Sequence, residues 1–158
     1  MKTAIFFGST TGVTEDVANK VGKLLGADVY PAGDIAKVED YDFVIFASST
    51  WGMGDLQDEW MGALDELKTK NLSGKKVGFI GVGDQEGFGD TFVDAIGTIY
   101  EEIADKGITV VGKTSTDGYS FSGSKAVVDG EFLGLVIDEN NQSSLTDSRI
   151  ESWVAKVK

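Results

Sequence analysis

The sequence of 158 residues contains no cysteine and no histidine, and both absences exclude whole classes of chemistry. Without cysteine there are no disulfides, no thiolate nucleophile and no cysteine-ligated iron–sulfur cluster. Without histidine the chain lacks the commonest metal ligand and the commonest general base at neutral pH. Acid–base catalysis would depend on carboxylates, and none of them forms an isolated pair in a loop. We therefore expect a protein that is not an enzyme.

Long hydrophobic runs and a targeting segment are absent as well. No apolar stretch approaches the ~20 residues that span a bilayer. A strand is predicted directly after Met1, Lys2 and Thr3, which leaves no room for a secretion signal. The apolar fraction of 41% and the charged fraction of 25% are typical of a soluble globular protein. We expect one domain over residues 1–158, in the cytoplasm and without membrane contact.

Positive charge is scarce compared with negative charge. The chain has 14 lysines and arginines against 26 acidic residues, which gives a formal net charge of −12. This balance argues strongly against a nucleic-acid partner, because nucleic-acid binding depends on basic patches. The acidity either steers a basic protein partner or only keeps the protein soluble, and charge alone does not separate the two interpretations.

Apolar runs alternate with helical patterns along the chain. Strands are predicted at 4–8, 43–47, 77–82 and 108–112, with a weaker candidate at 27–30. Helices are predicted at 14–25, 60–67, 92–104 and 150–157. The strands are apolar on both faces, which is typical of parallel strands covered by helices. The pattern predicts an α/β fold with helices on both sides of a parallel sheet.

One stretch interrupts this alternation. Residues 117–144 show no clear helix, and Phe132 to Ile137 form a further strand-like run inside them. A connection of this length is longer than usual. We interpret it as an insertion before the last helix, either functional or stabilising, and favour a structural embellishment that carries a partner surface.

A hydroxyl-rich turn follows the first predicted strand and consists of Ser9, Thr10, Thr11, Gly12, Val13 and Thr14. It leads directly into a helix, whose N-terminus carries unpaired N–H groups and about half a positive charge. The arrangement suits a phosphate. Because the turn contains no lysine or arginine, neutral donors would hold that phosphate.

Other phosphate-binding motifs do not match this turn. A P-loop needs a lysine after its last glycine, and here Val13 follows Gly12. The dinucleotide fingerprint needs three glycines, and only Gly8 and Gly12 are present. A phospho-receiver domain would need acidic residues at positions that hold Ser9, Thr10, Ser48 and Ser49.

Two further loops follow predicted strands and place an aromatic residue among glycines. The first contains Ser49, Thr50, Trp51, Gly52, Met53 and Gly54, and the second contains Gly83, Asp84, Gln85, Glu86, Gly87 and Phe88. Ligands of open parallel sheets bind beyond the carboxyl ends of the strands. Two aromatic rings beside a phosphate site predict a phosphorylated planar heterocycle between them. A partly buried anchor remains the alternative for Trp51, and a simple helix cap is the alternative for the hydroxyl-rich turn.

These three loops make the chain similar to the flavodoxin family, in its long-chain form. The similarity runs from Lys2 to Lys158 and includes the insertion and the closing segment 149–154. It implies a flavodoxin-like three-layer sandwich with a five-stranded parallel sheet in the order 2-1-3-4-5. The last strand would be split by the insertion.

The resemblance also implies a noncovalently bound FMN. Residues 9–14 would hold its phosphate, Trp51 and Phe88 would cover the two faces of the flavin, and backbone groups of neighbouring glycines would meet its edge. Phe88 stands where the family usually has tyrosine, so the stacking surface is kept and the hydroxyl is lost. The implied cofactor-binding residues are Ser9, Thr10, Thr11, Gly12, Val13, Thr14, Ser49, Thr50, Trp51, Gly52, Met53, Gly54, Gly83, Asp84, Phe88 and Phe92.

The function implied is that of a low-potential one-electron carrier that uses the semiquinone/hydroquinone couple of FMN. Its partners would be redox proteins such as a flavodoxin/ferredoxin reductase and low-potential electron acceptors. The protein would be a monomer and would contact them through an acidic surface. The net charge of −12 would disfavour the last electron. Two alternatives stay open: an FMN-dependent NAD(P)H:quinone oxidoreductase of related fold, and an acidic interaction module without a cofactor.

Overall fold

The computed structural model of the chain describes residues 2–8, 12–51, 55–56 and 58–158. The strands are β1 (Thr3–Gly8), β2 (Asp28–Pro31), β3 (Phe43–Trp51), β4 (Asp55–Leu56), β5 (Lys76–Val82), β6 (Thr109–Val110), β7 (Thr114–Ser115), β8 (Val127–Val128), β9 (Glu131–Phe132) and β10 (Leu135–Ile137). The helices are α1 (Val13–Leu25), α2 (Asp58–Leu67), α3 (Asp94–Ile103), α4 (Glu139–Gln142) and α5 (Thr146–Val157), with 3-10 helices at Ala32–Asp40 and Ser143–Leu145.

A parallel sheet forms the middle layer of the fold. Its order is β2-β1-β3-β5, and both β6 and β10 pair with the outer edge of β5. Strand β6 lies beside Lys76 and Val77, whereas β10 lies beside residues 80–82. The two segments therefore form one interrupted edge strand. The predicted order 2-1-3-4-5 and the split last strand are both confirmed.

Two hydrophobic cores lie on opposite faces of the sheet, because successive strand residues point to opposite sides. Phe6 of β1 packs in one core with buried residues of α2 and α3, including Trp60 and Ile99. Its neighbour Ile5 packs in the other core with buried residues of α1 and α5, including Val21 and Trp153. Helices cover both faces, which is why the strands are apolar throughout.

A 3-10 helix at Ala32–Asp40 connects β2 to β3, in a segment for which the sequence pattern made no prediction. Its buried residues are Ala32, Ile35 and Val38, at intervals of three. This spacing aligns side chains along one face of a 3-10 helix, which has three residues per turn. The short segment therefore completes the core beside β1 and α2.

The insertion between β6 and β10 contains a small antiparallel sheet in the order β7-β9-β8. The strand-like run 132–137 is divided between two sheets: Phe132 belongs to β9 and Leu135 begins β10. The expectation of no helix within 117–144 is wrong at one place, because the four residues of α4 lie there. The Asp138 side chain accepts a hydrogen bond from the Asn141 N–H and so caps this turn. None of the helices in the described part of the chain is long and apolar enough to cross a membrane.

Candidate functional site

Four loops leave the sheet at the carboxyl ends of its strands. The pairing register places Ser48 beside Gly8 and Gly81, and the next row joins Ser49, Val82 and Ile137. The loops after β1, β3, β5 and β10 therefore begin at one edge, where ligands of such sheets bind. The sequence predicted the first three loops as a site and missed the fourth, at residues 138–142.

Thr14 provides a buried donor at the end of the hydroxyl-rich turn. Gly12 precedes α1 with φ +90°, in the left-handed region that favours glycine, and Val13 is half-buried. Thr14 is fully buried in the first turn, and its Oγ1 has no hydrogen-bond partner among the described residues. An unsatisfied buried hydroxyl costs about 1–3 kcal/mol. A bound anion would accept a hydrogen bond from this hydroxyl, and the positive end of the helix dipole would attract the same anion. Ser9, Thr10 and Thr11 lie outside the described residues.

The end of β3 holds a second hydroxyl of this kind. Ser49 is buried, and within the described part of the chain its Oγ has no hydrogen-bond partner. The Thr50 Oγ1 accepts a hydrogen bond of 2.8 Å from the Ala95 N–H and so caps α3. The backbone of Trp51 pairs with Asp55 of β4. Gly52, Met53 and Gly54 lie outside the described residues, and so does the side chain of Trp51, so stacking on Trp51 stays a prediction.

The loop after β5 is folded around the carboxylate of Asp84. Its Oδ1 accepts hydrogen bonds from the N–H groups of Gly87 at 2.8 Å and Glu86 at 3.1 Å. The hydrogen bond from Gly87 contributes most to lowering the pKa of Asp84. The Asn141 side-chain amide and the Glu86 N–H lower it further. A Cβ on Gly87 would lie 2.6 Å from the Asp84 Oδ2, so the tight turn requires glycine. The turn leaves Phe88 half-buried, beside a groove of about 620 Å³ that extends to residues 120–122.

Some backbone groups of this loop already make hydrogen bonds within the protein. The Gly83 N–H donates to the Ile137 C=O at 3.0 Å, and the Asp84 C=O accepts from the Phe88 N–H at 2.8 Å. The candidate groups for a ligand are therefore the Gly83 C=O and the Asp84 N–H. Phe92 has 1% of its surface exposed and packs against the rings of Tyr119, Phe121 and Phe132. Phe92 therefore supports the insertion from inside the core. Its buried position does not favour direct contact with a ligand.

A buried network that the sequence reasoning missed ties the third and fourth loops together. The carboxyl group of Asp138, which is fully buried, accepts hydrogen bonds from the Gln85 N–H at 3.0 Å and the Gln85 Nε2 at 2.8 Å. The Asn141 Nδ2 donates to Asp138 at 2.8 Å and to Asp84 at 2.7 Å. The spacing Asp138-x-x-Asn141 directly after an apolar run is an N-cap signal that could have revealed it. These bonds position the loop that carries Phe88.

Asp84→Asn is expected to destabilise the protein by about 0.5–1.5 kcal/mol at pH 7, because the loop loses charge-assisted hydrogen bonds that solvent already weakens at this largely exposed carboxyl. A carboxyl whose pKa is lowered by folding contributes stability above its ordinary value of 3.8 and loses it as the pH falls through the folded pKa. The difference from the wild type should therefore be constant near neutral pH and shrink below about pH 4. Urea denaturation across pH measures this effect. Glu86→Gln removes the same charge from an exposed position in the loop and should change little; an equal loss in both variants would contradict the assignment.

No metal site accompanies these loops in the part of the chain that the structure describes. No group of three or more acidic, cysteine or histidine side chains is placed there to hold a metal ion. The described site offers buried hydroxyl groups at a helix N-terminus and an aromatic ring, which suit an organic phosphate.

Known proteins similar to this chain share its whole length. The family model described as Flavodoxin matches residues 5–153. A flavodoxin of a Nostoc species is 45% identical and the alignment covers 99% of this chain and 95% of the relative. A flavodoxin of Haemophilus influenzae is 43% identical over 97% and 91% of the two chains.

A solved structure extends the similarity to three dimensions. The crystal structure of Fusobacterium nucleatum flavodoxin bound to flavin mononucleotide has a TM-score of 0.94 and 32% identity, covering 99% of this chain and 97% of that one. The sheet order, the split last strand, the loops at the carboxyl edge and these similarities agree. The chain therefore belongs to the flavodoxin family.

Proposed function

We propose that this chain binds FMN noncovalently and carries single electrons between redox proteins. Family membership supports the proposal, as does the FMN bound to the Fusobacterium flavodoxin of the same fold. FMN supplies the one-electron chemistry, while the protein supplies binding and electrostatics. The observation that carries the proposal is the buried Oγ1 of Thr14 in the first turn of α1, which lacks a partner among the described residues.

The phosphate of FMN would be held by neutral donors. Thr14 and the first N–H groups of α1 would bind it together with Ser9, Thr10 and Thr11, and Gly12 and Val13 would shape the turn. A hydrogen bond to a charged group contributes about 1.5–3 kcal/mol, so a few of them suffice for tight binding. Since residues 9–14 contain no lysine or arginine, no cationic side chain of this turn would neutralise the phosphate.

The flavin ring would lie between the loops after β3 and β5. Phe88 would stack on one face and Trp51 on the other, each contributing about 0.5–1.5 kcal/mol beyond its buried area. The edge of the ring would meet backbone groups of Gly52, Gly54, Gly83 and Asp84. The network of Asp138 and Gln85 supports this placement because it holds the loop of Phe88 in one conformation.

The net charge would act on both the potential and the partner. A protein with a formal charge of −12 disfavours a further negative charge on the flavin, which makes the bound cofactor strongly reducing. The same charge favours a basic contact surface on the partner, such as a flavodoxin/ferredoxin reductase. We further propose that residues 1–158 act as a single domain, a monomer in the cytoplasm.

The visible spectrum of the purified protein during stepwise reduction tests this function. A carrier should show flavin bands that pass through a long-lived half-reduced form, and heating should release FMN. The quinone oxidoreductase alternative requires direct two-electron bleaching by NAD(P)H, and an interaction module would remain colourless when FMN is added. Either of these two results would overturn the proposal. The relatives compared above favour the carrier because they are named flavodoxins.

A further inference from the structure

Arg149, the only arginine in the sequence, lies in the first turns of α5. It makes no ion pair and no hydrogen bond with the described residues, although the chain has 26 acidic side chains. Its Nη1 is buried without a partner among those residues. A buried guanidinium donor left unsatisfied is unfavourable, and a cation near a helix N-terminus also opposes the helix dipole. Hydrogen bonding within the chain and the helix dipole therefore do not explain this residue.

The ring of Tyr119 holds the guanidinium in place. The Arg149 Cζ lies 4.1 Å from the centre of the ring, a cation–π arrangement. The Tyr119 hydroxyl donates to the Val136 C=O at 2.6 Å, and burial raises the pKa of this phenol to about 12. The ring also packs edge-on against Phe132 with the centroids 5.0 Å apart. Stacking on a fixed, neutral ring orients the guanidinium before any ligand arrives.

A cavity of about 320 Å³ opens beside this pair, between α5, β7 and β10. Its polar lining includes Arg149, Lys156, Ser115 and Ser152, with Asp117 as the acidic member. The Lys156 Nζ donates one hydrogen bond to the Lys113 C=O and keeps two further N–H groups. The Ser115 Oγ accepts from the Asp117 N–H at 3.0 Å, so its own O–H remains a donor. Two cationic side chains and two hydroxyl side chains thus line one cavity in a chain whose formal net charge is −12.

We propose that this cavity binds a phosphate-type oxyanion, with Arg149 as its main ligand. The planar guanidinium matches two oxygens of a phosphate or sulfate group, and Lys156, Ser115 and Ser152 provide further donors. The single carboxylate of Asp117 weakens the site and favours a small anion that stays clear of it. None of these residues belongs to the predicted FMN site, so the proposal does not rest on the proposed function. The anion is either free or carried on a small phosphomonoester.

The test is an NMR titration of the FMN-loaded protein with sodium phosphate, compared with sodium chloride at equal ionic strength. Bound FMN keeps phosphate out of the turn at residues 9–14. The reporters are the Arg149 Nε–H and the indole N–H of Trp153, which lines the cavity and donates to the Gly112 C=O at 2.8 Å. We expect saturable shifts with phosphate and not with chloride. A parallel titration with glycerol 2-phosphate separates the sources: tighter binding indicates an ester and equal binding a free anion. Absence of saturation with both ligands overturns the proposal.

Substitutions identify the ligands of the anion. Arg149→Gln should weaken phosphate binding at least about tenfold, and Arg149→Lys less. Lys158→Gln removes the same charge from an exposed position outside the cavity and should leave the affinity unchanged. Asp117→Asn should tighten binding several-fold, which keeps the test decisive if Arg149→Gln fails to fold. Equal losses in Arg149→Gln and Lys158→Gln, or no gain in Asp117→Asn, would contradict the assignment.

Discussion

Thr14→Val is expected to weaken FMN binding by about 10- to 100-fold while leaving the apoprotein at least as stable as the wild type. Valine keeps the shape of threonine and removes the O–H donor. If that hydroxyl donates to the phosphate, the loss equals one charge-assisted hydrogen bond of about 1.5–3 kcal/mol. In the structure the Oγ1 has no partner among the described residues, so its removal relieves an unsatisfied buried group. Fluorescence titration with FMN and urea denaturation of the apoprotein measure the two effects.

Thr146→Val is a closely matched control for this experiment. Thr146 is the first residue of α5, is 3% exposed, and its Oγ1 is likewise buried without a partner among the described residues. It lies outside the predicted site, so FMN affinity should not change. Unchanged affinity in Thr14→Val, or the same loss in Thr146→Val, would show that Thr14 does not bind the phosphate.

Gly134→Ala is expected to destabilise the fold by about 3 kcal/mol or more. A Cβ at this position would lie 2.0 Å from the Phe79 O and 2.7 Å from the Phe79 C. These are backbone atoms of β5 and cannot rotate away, so β10 would have to separate from β5, beginning at the pair Leu135 and Ile80. The loop that carries Asp138 follows β10 directly, so the variant should also lose order at the site. The urea midpoint and amide exchange in β10 measure these effects.

Gly62→Ala is expected to stabilise the protein and serves as a control for the Gly134→Ala variant. Gly62 lies inside α2, and a Cβ there would have nothing within 4 Å. Alanine should stabilise the helix by about 0.4–1 kcal/mol, because it loses less backbone entropy on folding than glycine. A Gly134→Ala protein within 1 kcal/mol of the wild type would mean that β10 yields without breaking its pairing.

Much of the fold follows from local patterns in the sequence. The strand predicted at 43–47 is recognisable because helices cover both faces of the sheet and its five residues alternate between the two cores. The loops after β1, β3 and β5 are recognisable because parallel strands bring their carboxyl ends to one edge. Chain order and parallel strand pairing thus suffice to predict that these three loops lie together.

Pairing between distant residues lies beyond such local patterns. The run Phe132–Ile137 is one apolar stretch in sequence, but its residues belong to two different sheets. The chain passes between them at Gly134, which packs directly against the Phe79 carbonyl. The buried carboxyl of Asp138 receives hydrogen bonds from Gln85, which is 53 positions away in the chain. No periodicity signals a partner at that distance.

The sequence by itself therefore determined the alternation of strands and helices, the edge where the site lies and the neutral character of the hydroxyl-rich turn. Tertiary structure alone decided which polar groups stay unsatisfied within the described part of the chain, among them the hydroxyls of Thr14 and Ser49, and that Arg149 stacks on Tyr119 beside a cavity. The physical reason is that periodicity reports only which side of an element is buried. Hydrogen-bond satisfaction depends on which groups the completed fold brings within reach.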